Sequence, residues 1–394
     1  MRMRWKINLK KSPFYSSILS KGLRFPLIDK SLFMAKFDSI NTKGITREAA
    51  FNIAMSAETS RDFRSTIDGV SIGLSSGTSG NRGVYLTSRA EQEKWVGVVL
   101  DRVIGLSLKK RKVAFFLRAN NNLYEAVKSK LIQFEFYDIQ QPLFQLIQLF
   151  VESNSDILVA QPSVLLEIAR YCEREKLQLN LSKIISVAEV LEEDTEHYLV
   201  KIFQLPIRQV YQCTEGFLAY TCKEGTLHLN EDFLNIERNY MDKEKTKFQP
   251  IITDYLRHIQ PVVHYELNDI LHLGNGCNCG SKATVIAKIE GRSDDVFRFD
   301  RAGVEIVIFP DFVRRAIINA DEVITNYIVA QKSNMEISLS IEGENPTQIK
   351  NGLLALRKLC DVRGLSNVCI TQTLFDHNPI LKFKRIRNDS NTTI

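Results

Sequence analysis

Residues capable of chemistry fall in a few short clusters. The segment Leu74-Ser75-Ser76-Gly77-Thr78-Ser79-Gly80-Asn81-Arg82-Gly83 mixes glycines with four hydroxyl side chains. Glycine lets backbone N–H groups approach an anion and each hydroxyl adds a donor, so the loop suits a polyphosphate; a flexible surface turn is the bland alternative. It is no Walker loop, because the chain has no Gly-Lys-Ser or Gly-Lys-Thr, and Gly274-Asn275-Gly276 with Gly280 lacks the spacing of a dinucleotide fingerprint. In Tyr211-Gln212-Cys213-Thr214-Glu215-Gly216 a hydroxyl adjoins a carboxylate behind an expected strand, a pairing able to hold phosphate and Mg²⁺ together. Thr253-Asp254 before Arg257, Pro261 to Tyr265 before Asp269, and Glu290-Gly291-Arg292-Ser293-Asp294-Asp295 are each no more than polar turns when taken alone.

Cys222, His228, Cys277 and Cys279 form a second kind of cluster. Three thiolates and an imidazole would close a tetrahedral structural zinc site, although Cys-x-Cys is less usual than Cys-x-x-Cys. Reduced, unpaired thiols in a β-rich region are the alternative. His264 and His272 are rival ligands, and His197, in a helical run, reads as a surface residue. The seven cysteines, an odd number, are not a disulfide framework.

Elements must present these residues. Ser88-Arg89-Ala90-Glu91 has capping-box spacing, and Trp95, Val98, Val99 and Val103 follow at helical intervals. Strands are expected at 113–117, 134–139, 156–160, 184–187 and 209–211. They alternate with helices at 123–132, from Pro142 to about 151, from a Ser163 cap to 175, and at 192–203. That alternation predicts an α/β core with a mostly parallel sheet. Beyond Gly216, stretches at 226–229, 261–265 and 284–289 predict a strand-rich subdomain over about 217–290. From about Ala302 a small α+β unit follows, with helices at 311–319 and 347–359 and strands at 336–341 and 367–371. The expected division is 1–297 and 302–394, hinged near Arg298 to Gly303.

A chain of 394 residues with 44% hydrophobic and 25% charged residues reads as a folded soluble protein of two domains, or of one large domain with an appendage. Its net charge of +6 suits anionic small molecules, and no aromatic-interleaved basic stripe points to nucleic acid. Lys109-Lys110-Arg111-Lys112 reads as a solvated turn. No apolar run reaches the ~18 residues of a membrane span, so no membrane association and a cytoplasmic location are expected. A homodimer stays open.

Taken in order, the segments across residues 74–295 resemble the acyl-adenylate-forming superfamily, and within it the phenylacetate–coenzyme A ligase-like branch with its deazaflavin-coenzyme adenylating relatives. The resemblance implies that Ser75, Ser76, Gly77, Thr78, Ser79 and Gly80, on to Gly83, hold the ATP phosphates. It puts Ala188-Glu189 beside adenine, with Tyr211 packed on the base. It gives Thr214 to the α-phosphate, Glu215 to Mg²⁺, Asp269 to the ribose hydroxyls and Arg292 to ribose or phosphate. Leu381-Lys382-Phe383-Lys384-Arg385-Ile386 is similar to the family's terminal Gly-Lys-x-x-Arg-Ile element, whose lysine acts during adenylation from a mobile lid. Lys382 is favoured over Lys384. Two departures stand out: Asn81-Arg82 replaces the family's Pro-Lys, and the glycine before Lys382 is missing. The branch also carries similar Cys…His…Cys-x-Cys-Gly patterns, which favours zinc at Cys222, His228, Cys277 and Cys279.

The implied activity is ATP-dependent activation of a carboxylic acid, aromatic on branch analogy, with transfer to coenzyme A or a carrier protein. A non-catalytic nucleotide- and zinc-binding scaffold is the alternative; retention of Thr214, Glu215, Asp269 and Arg292 speaks for the enzyme. A zinc hydrolase is disfavoured, since four protein ligands leave no open position. Phe115, Phe116, Tyr124 and Phe136 read as core before acid pocket.

Overall fold

A computed structural model describes residues 2–390 except 61, 63–64, 76–82, 106–108, 118–131, 140, 293–294, 302, 309, 322–323, 325, 344 and 378–382, together with the side chains of 2–4, 58–59, 292, 304–305, 307, 311, 315 and 318. It forms two compact units, Met1–Leu267 with His272–Lys288, and Asn268–Leu271 with Ile289–Ile394.

The first unit opens with helices that the sequence patterns did not announce: α1 (Arg2–Leu9), α2 (Pro13–Ser20), α3 (Lys30–Ala35), α4 (Phe37–Ile40) and α5 (Arg47–Ser60). Their starts are chemically legible. The Ser12 side chain caps α2, with Pro13 in the first turn, and the Asp29 carboxylate caps α3. A three-stranded antiparallel meander follows, β1 (Thr66–Ile67), β2 (Val70–Leu74) and β3 (Val84–Ser88). Gly73 on β2 lies under the Tyr85 ring, where a Cβ would come within 2.2 Å of that ring, so no side chain fits. Helix α6 (Arg89–Val99) begins with the expected Ser88–Glu91 capping box and runs into a π-helical turn, Leu100–Ile104.

Among the described residues the main sheet has twelve strands. Five are parallel, in the order β5 (Ile132–Asp138), β4 (Arg111–Leu117), β6 (Ile157–Ala160), β7 (Lys183–Ser186), β8 (Ile207–Cys213). Helices α7 (Leu143–Glu152), α8 (Pro162–Glu175) and α9 (Glu193–Phe203) connect the later ones. Beyond β8 the sheet continues with β9 (Gly216–Thr221), β10 (Leu227–Leu229), β15 (Val285–Arg292), β14 (Asp269–Leu273), β12 (Lys247–Asp254) and β11 (Leu234–Tyr240); β13 (Tyr265–Glu266) pairs with β12. A mixed α/β fold with one large sheet is therefore present, and the pairings of β8 with β9, β9 with β10 and β11 with β12 are antiparallel.

Several local expectations change. Helix α8 is capped from Gln161 with Pro162 in its first turn, so Ser163 lies inside the helix. Its apolar positions Val164, Leu165, Ile168, Ala169 and Cys172 form one buried stripe against Phe116, Ile184 and Leu199. The helix expected at 123–132 falls outside the described residues apart from Ile132, which opens β5. Arg111 and Lys112 are no solvated turn: they begin β4 and pair with Asp156 and Glu135. Of 261–265 only Tyr265 is strand, because His264 takes a positive φ of 50° that breaks the extension.

The second unit pairs a hairpin, β16 (Phe297–Arg301) and β17 (Val304–Ile308), with a four-stranded sheet in the order β20 (Cys369–Gln372), β19 (Glu336–Ile341), β18 (Tyr327–Ser333), β21 (Ile386–Asn388). Helices α10 (Pro310–Ala320) and α11 (Pro346–Val362) complete it, and Phe297, Phe299, Ile317, Tyr327, Leu339 and Leu356 form its core. Two side-chain amides substitute for ladder bonds. Gln331 accepts from Arg298 N–H at 2.9 Å and donates to Arg298 O at 2.6 Å, and Asn334 does the same at Asp300. Of the stretch expected to hinge, Arg298 to Arg301 lies in β16, and Gly303, with a φ of +82°, lies in the turn before β17.

Candidate active site and metal centre

Strands β6, β7 and β8 are parallel, so their carboxyl ends open on one edge, the usual ligand-binding edge of an α/β sheet. Ala188 and Glu189 leave β7 there. Glu189 N–H bonds Val187 O at 2.8 Å around Ala188, whose φ is +68°, a γ-turn of the rare strained hand. Such strain costs on the order of 1–3 kcal/mol and gathers at functional sites. The Glu189 carboxylate accepts Ser163 N–H at 3.1 Å and the Ser163 hydroxyl at 3.2 Å, which fixes the turn to the start of α8. Tyr211, on β8, is buried at a bulge between Tyr211 and Gln212, and Trp95 donates to Gln212 at 3.3 Å.

Thr214 and Glu215 are the two turn residues between Cys213 and Gly216, which pair across β8 and β9. The Thr214 hydroxyl donates to Glu215 Oε2 at 2.7 Å, and the Tyr265 hydroxyl donates to Glu215 Oε1 at 2.9 Å. Mg²⁺ is commonly held by one or two carboxylates plus substrate phosphates, and a half-buried carboxylate at a turn tip fits that donor set. Behind the turn, Asp254 Oδ2 would lie 3.3 Å from a Cβ on Gly216, so glycine leaves room for that carboxylate. Burial pushes the Asp254 carboxyl up to about 6, with a backbone bond from Leu256 N–H acting against the shift.

At the neck of the hydroxyl-rich loop, Ser75 N–H bonds Gly83 O at 2.8 Å and Gly83 N–H bonds Ser75 Oγ at 2.7 Å. The loop connects β2 to β3, so a strand separates it from α6. Ser76, Gly77, Thr78, Ser79 and Gly80 lie outside the described residues. The exit strand is held from the side: buried Gln260 accepts Leu86 N–H at 3.0 Å, and buried Glu91 accepts Ile259 N–H at 3.0 Å. Lys30 approaches the same neck, its Cε 3.4 Å from where a Cβ on Gly83 would sit.

Sequence reasoning singled out the segment holding Tyr265 and the capping residue Glu91 but not their pairing with Glu215 and Ile259, and it missed Gln260 and Lys30, because each of these contacts spans a long separation in the chain. Asp269 opens β14 and belongs to the second unit; Arg292 closes β15 with its side chain outside the described set. Lys382 also lies outside it. Lys384 pairs with buried Asp295 at 2.8 Å. Phe116 is fully buried and stacked on Tyr137, hence core, whereas Phe115 and Phe136 are half-buried and Tyr124 is outside the described residues.

Cys222, His228, Cys277 and Cys279 do converge, all four ligand atoms lying within 4.8 Å of one another. Cys222 and Cys277 sulfurs are 3.7 Å apart, close to the roughly 3.8 Å edge of a tetrahedron with ~2.3 Å metal–sulfur bonds. His228 Nδ1 bonds Ala283 O at 3.1 Å, leaving Nε2 facing Cys279 at 3.4 Å. That second bond fixes the ring as in metal-ligating histidines. Ser281 N–H donates to Cys279 sulfur at 3.4 Å, and hydrogen bonds led by Thr226 hold the Cys277 thiol down to about 6. The donor set fits zinc. Cys222 follows the far end of β9, and the six strand residues between them put it roughly 20 Å from Glu215, too far to act on the same substrate atoms.

No family model and no curated protein matches this sequence. Solved structures do. A 2-hydroxyisobutyryl-CoA ligase in its postadenylation state, in complex with R3-HIB-AMP, superposes with a TM-score of 0.70 at 12% identity, covering 99% of this chain and 88% of the ligase. An anthranilate CoA ligase, AuaEII, in complex with anthranoyl-AMP gives 0.55 at 11% identity over 79% of this chain and 65% of its own. The amide bond synthetase McbA from Marinactinospora thermotolerans gives 0.55 at 9% identity over 80% and 67%. Identities this low speak to architecture alone, and over nearly the whole chain that architecture is the fold of the acyl-adenylate-forming ligases.

Proposed function

We propose that this protein activates a carboxylic acid with ATP and passes the acyl group to a thiol. A carboxylate oxygen attacks the α-phosphorus, the bond to the bridging β-oxygen breaks, and pyrophosphate leaves. The thiolate of coenzyme A or a carrier then attacks the acyl carbon and AMP leaves. The observation that carries the reading is the gathering of Ala188, Glu189, Tyr211, Thr214 and Glu215 at the carboxyl ends of two adjacent parallel strands. A fold alone hosts many chemistries, so this site weighs more than the superposition.

Both reactants are anionic, and catalysis reduces to positioning and charge neutralisation. In this reading Tyr211, Ala188 and Glu189 seat adenine, Thr214 donates to the α-phosphate, Asp269 takes the ribose hydroxyls and Arg292 ribose or phosphate. The loop from Ser75 through Ser76, Gly77, Thr78, Ser79 and Gly80 wraps the β- and γ-phosphates. Mg²⁺ at Glu215 supplies neutralisation of phosphate charge. Lys382, on a small C-terminal domain that closes over the core, adds a positive charge during adenylation; the engagement of Lys384 with Asp295 supports choosing Lys382. Zinc at Cys222, His228, Cys277 and Cys279 is structural. The acid is aromatic, a choice supported by the branch resemblance and by an anthranilate ligase among the structural neighbours.

The test is pyrophosphate release from ATP and Mg²⁺ across a panel of aryl and aliphatic acids, with and without coenzyme A. Release that requires an acid, strongest for aryl acids, is expected. Absence of acid-dependent release across the panel overturns the assignment.

A further inference from the structure

The Thr214–Glu215 turn has two hydroxyl donors of unlike character. Thr214 is a neighbour in sequence, half-buried at the turn tip, and its hydroxyl can rotate away at little cost. Tyr265 is 3% exposed, with its ring edge-on to Phe33 at 5.3 Å. Its backbone is held on both sides: it pairs with Ile252 of β12, while Ile28 N–H bonds His264 O at 3.0 Å and Glu266 N–H bonds Ile28 O at 2.8 Å. One carboxylate oxygen thus has a rigid, permanent partner and the other an exchangeable one.

We infer that Tyr265 is a positioning residue that holds Glu215 in its Mg²⁺-binding orientation, while Thr214 acts as a placeholder that leaves Glu215 when the nucleotide arrives. This rests on the reading of Glu215 as the Mg²⁺ ligand and of Thr214 as a phosphate donor. A carboxylate has about four lone-pair positions, so a bond from Tyr265 leaves capacity for a cation. With Oε1 pinned, the hydroxyl of Thr214 transfers from Oε2 to a phosphate oxygen without the carboxylate rotating. The donor count is conserved, because Thr214 has one hydroxyl proton and spends it on Glu215 in the empty state and on the nucleotide in the bound state.

The experiment is calorimetric titration of ATP into the full-length protein at a series of Mg²⁺ concentrations, with thermal unfolding of each variant recorded. Partners that orient metal ligands typically matter 10–100-fold for metal affinity. Tyr265→Phe, which keeps the ring against Phe33, is expected to raise the Mg²⁺ concentration for half-maximal ATP binding by about tenfold. Thr214→Val is expected to act on the nucleotide instead: it weakens ATP at saturating Mg²⁺ and leaves the Mg²⁺ midpoint in place. In a Glu215→Gln background Tyr265→Phe should produce no further shift. An unchanged midpoint in Tyr265→Phe, or a shift of similar size in Thr214→Val, overturns the inference while leaving the ligase reading intact. Should Tyr265→Phe fail to fold, the Thr214→Val midpoint still decides. Wild-type ATP binding that is indifferent to Mg²⁺ overturns the underlying reading and the inference with it.

Discussion

Asp254 is a carboxylate stored where water does not reach, 3% exposed and held by Leu256 N–H at 2.7 Å. Its folded-state value of about 6 lies above the ordinary 3.8, so the folded protein binds the proton more tightly than the unfolded chain. The sign follows: stability is fully present below about pH 4, falls as pH rises towards 6, and levels off above, by an amount on the order of 2–3 kcal/mol. Asp254→Asn keeps the acceptor for Leu256 and removes the charge. Urea titrations at pH 4, 5, 6 and 7 should show a flatter profile in the variant and higher stability at pH 7; an unchanged profile would refute the assignment. Residue types at the site were legible in the sequence, since Thr214-Glu215, Ala188-Glu189 and the cysteines stand in recognisable spacing. Partners were not: Tyr265 reaches Glu215 across 50 residues and Gln260 reaches Leu86 across 174, and no local pattern encodes either.

Among elements, the legible ones have long, unambiguous periods. Strand 336–341 and the helices around 143–152 and 193–203 fall close to where alternation and apolar spacing put them. The first forty residues were opaque because helices of eight, eight, six and four residues are too short for a 3.6-residue period to rise above chance. The cysteine cluster shows how elements and spacing combine. Cys222 leaves β9 through a tight turn, in which Cys222 N–H bonds Thr226 O at 2.8 Å, and that turn carries His228 back on β10. Elemental analysis of purified protein should find about one zinc per chain. Cys279→Ser or chelation should lower the thermal midpoint of the first unit and leave ATP affinity nearly unchanged, because the cluster is remote from Glu215. A metal-free preparation of full stability would remove the site from consideration.

On the scale of the whole molecule, two units with separate cores should not melt as one, and calorimetry should resolve two transitions. The C-terminal lysines then separate cleanly. Lys384 and Asp295 are both largely buried, and removing one partner of a buried pair typically costs about 3–5 kcal/mol. Lys384→Ala should therefore depress the melting of the second unit. Lys382→Ala should leave both transitions in place and slow acyl-adenylate formation by orders of magnitude, as expected of a charge used only in the transition state. Normal adenylation by Lys382→Ala would shift the role elsewhere.

The seam where β10 meets β15 also has a consequence for biosynthesis. His228 pairs with Val285 and its ring reaches Ala283, a separation of 55 residues. At about 5–20 residues per second, β10 leaves the ribosome roughly 3–11 s before the strand that completes its pairing exists. During that interval β9 and β10 form a nascent hairpin whose outer edge, with its unpaired amides and carbonyls, is open to other chains. The open edge of β10 is therefore exposed to other chains while the protein is being made, and slowing translation between codons 229 and 285 should lower the soluble yield more than slowing it after codon 288.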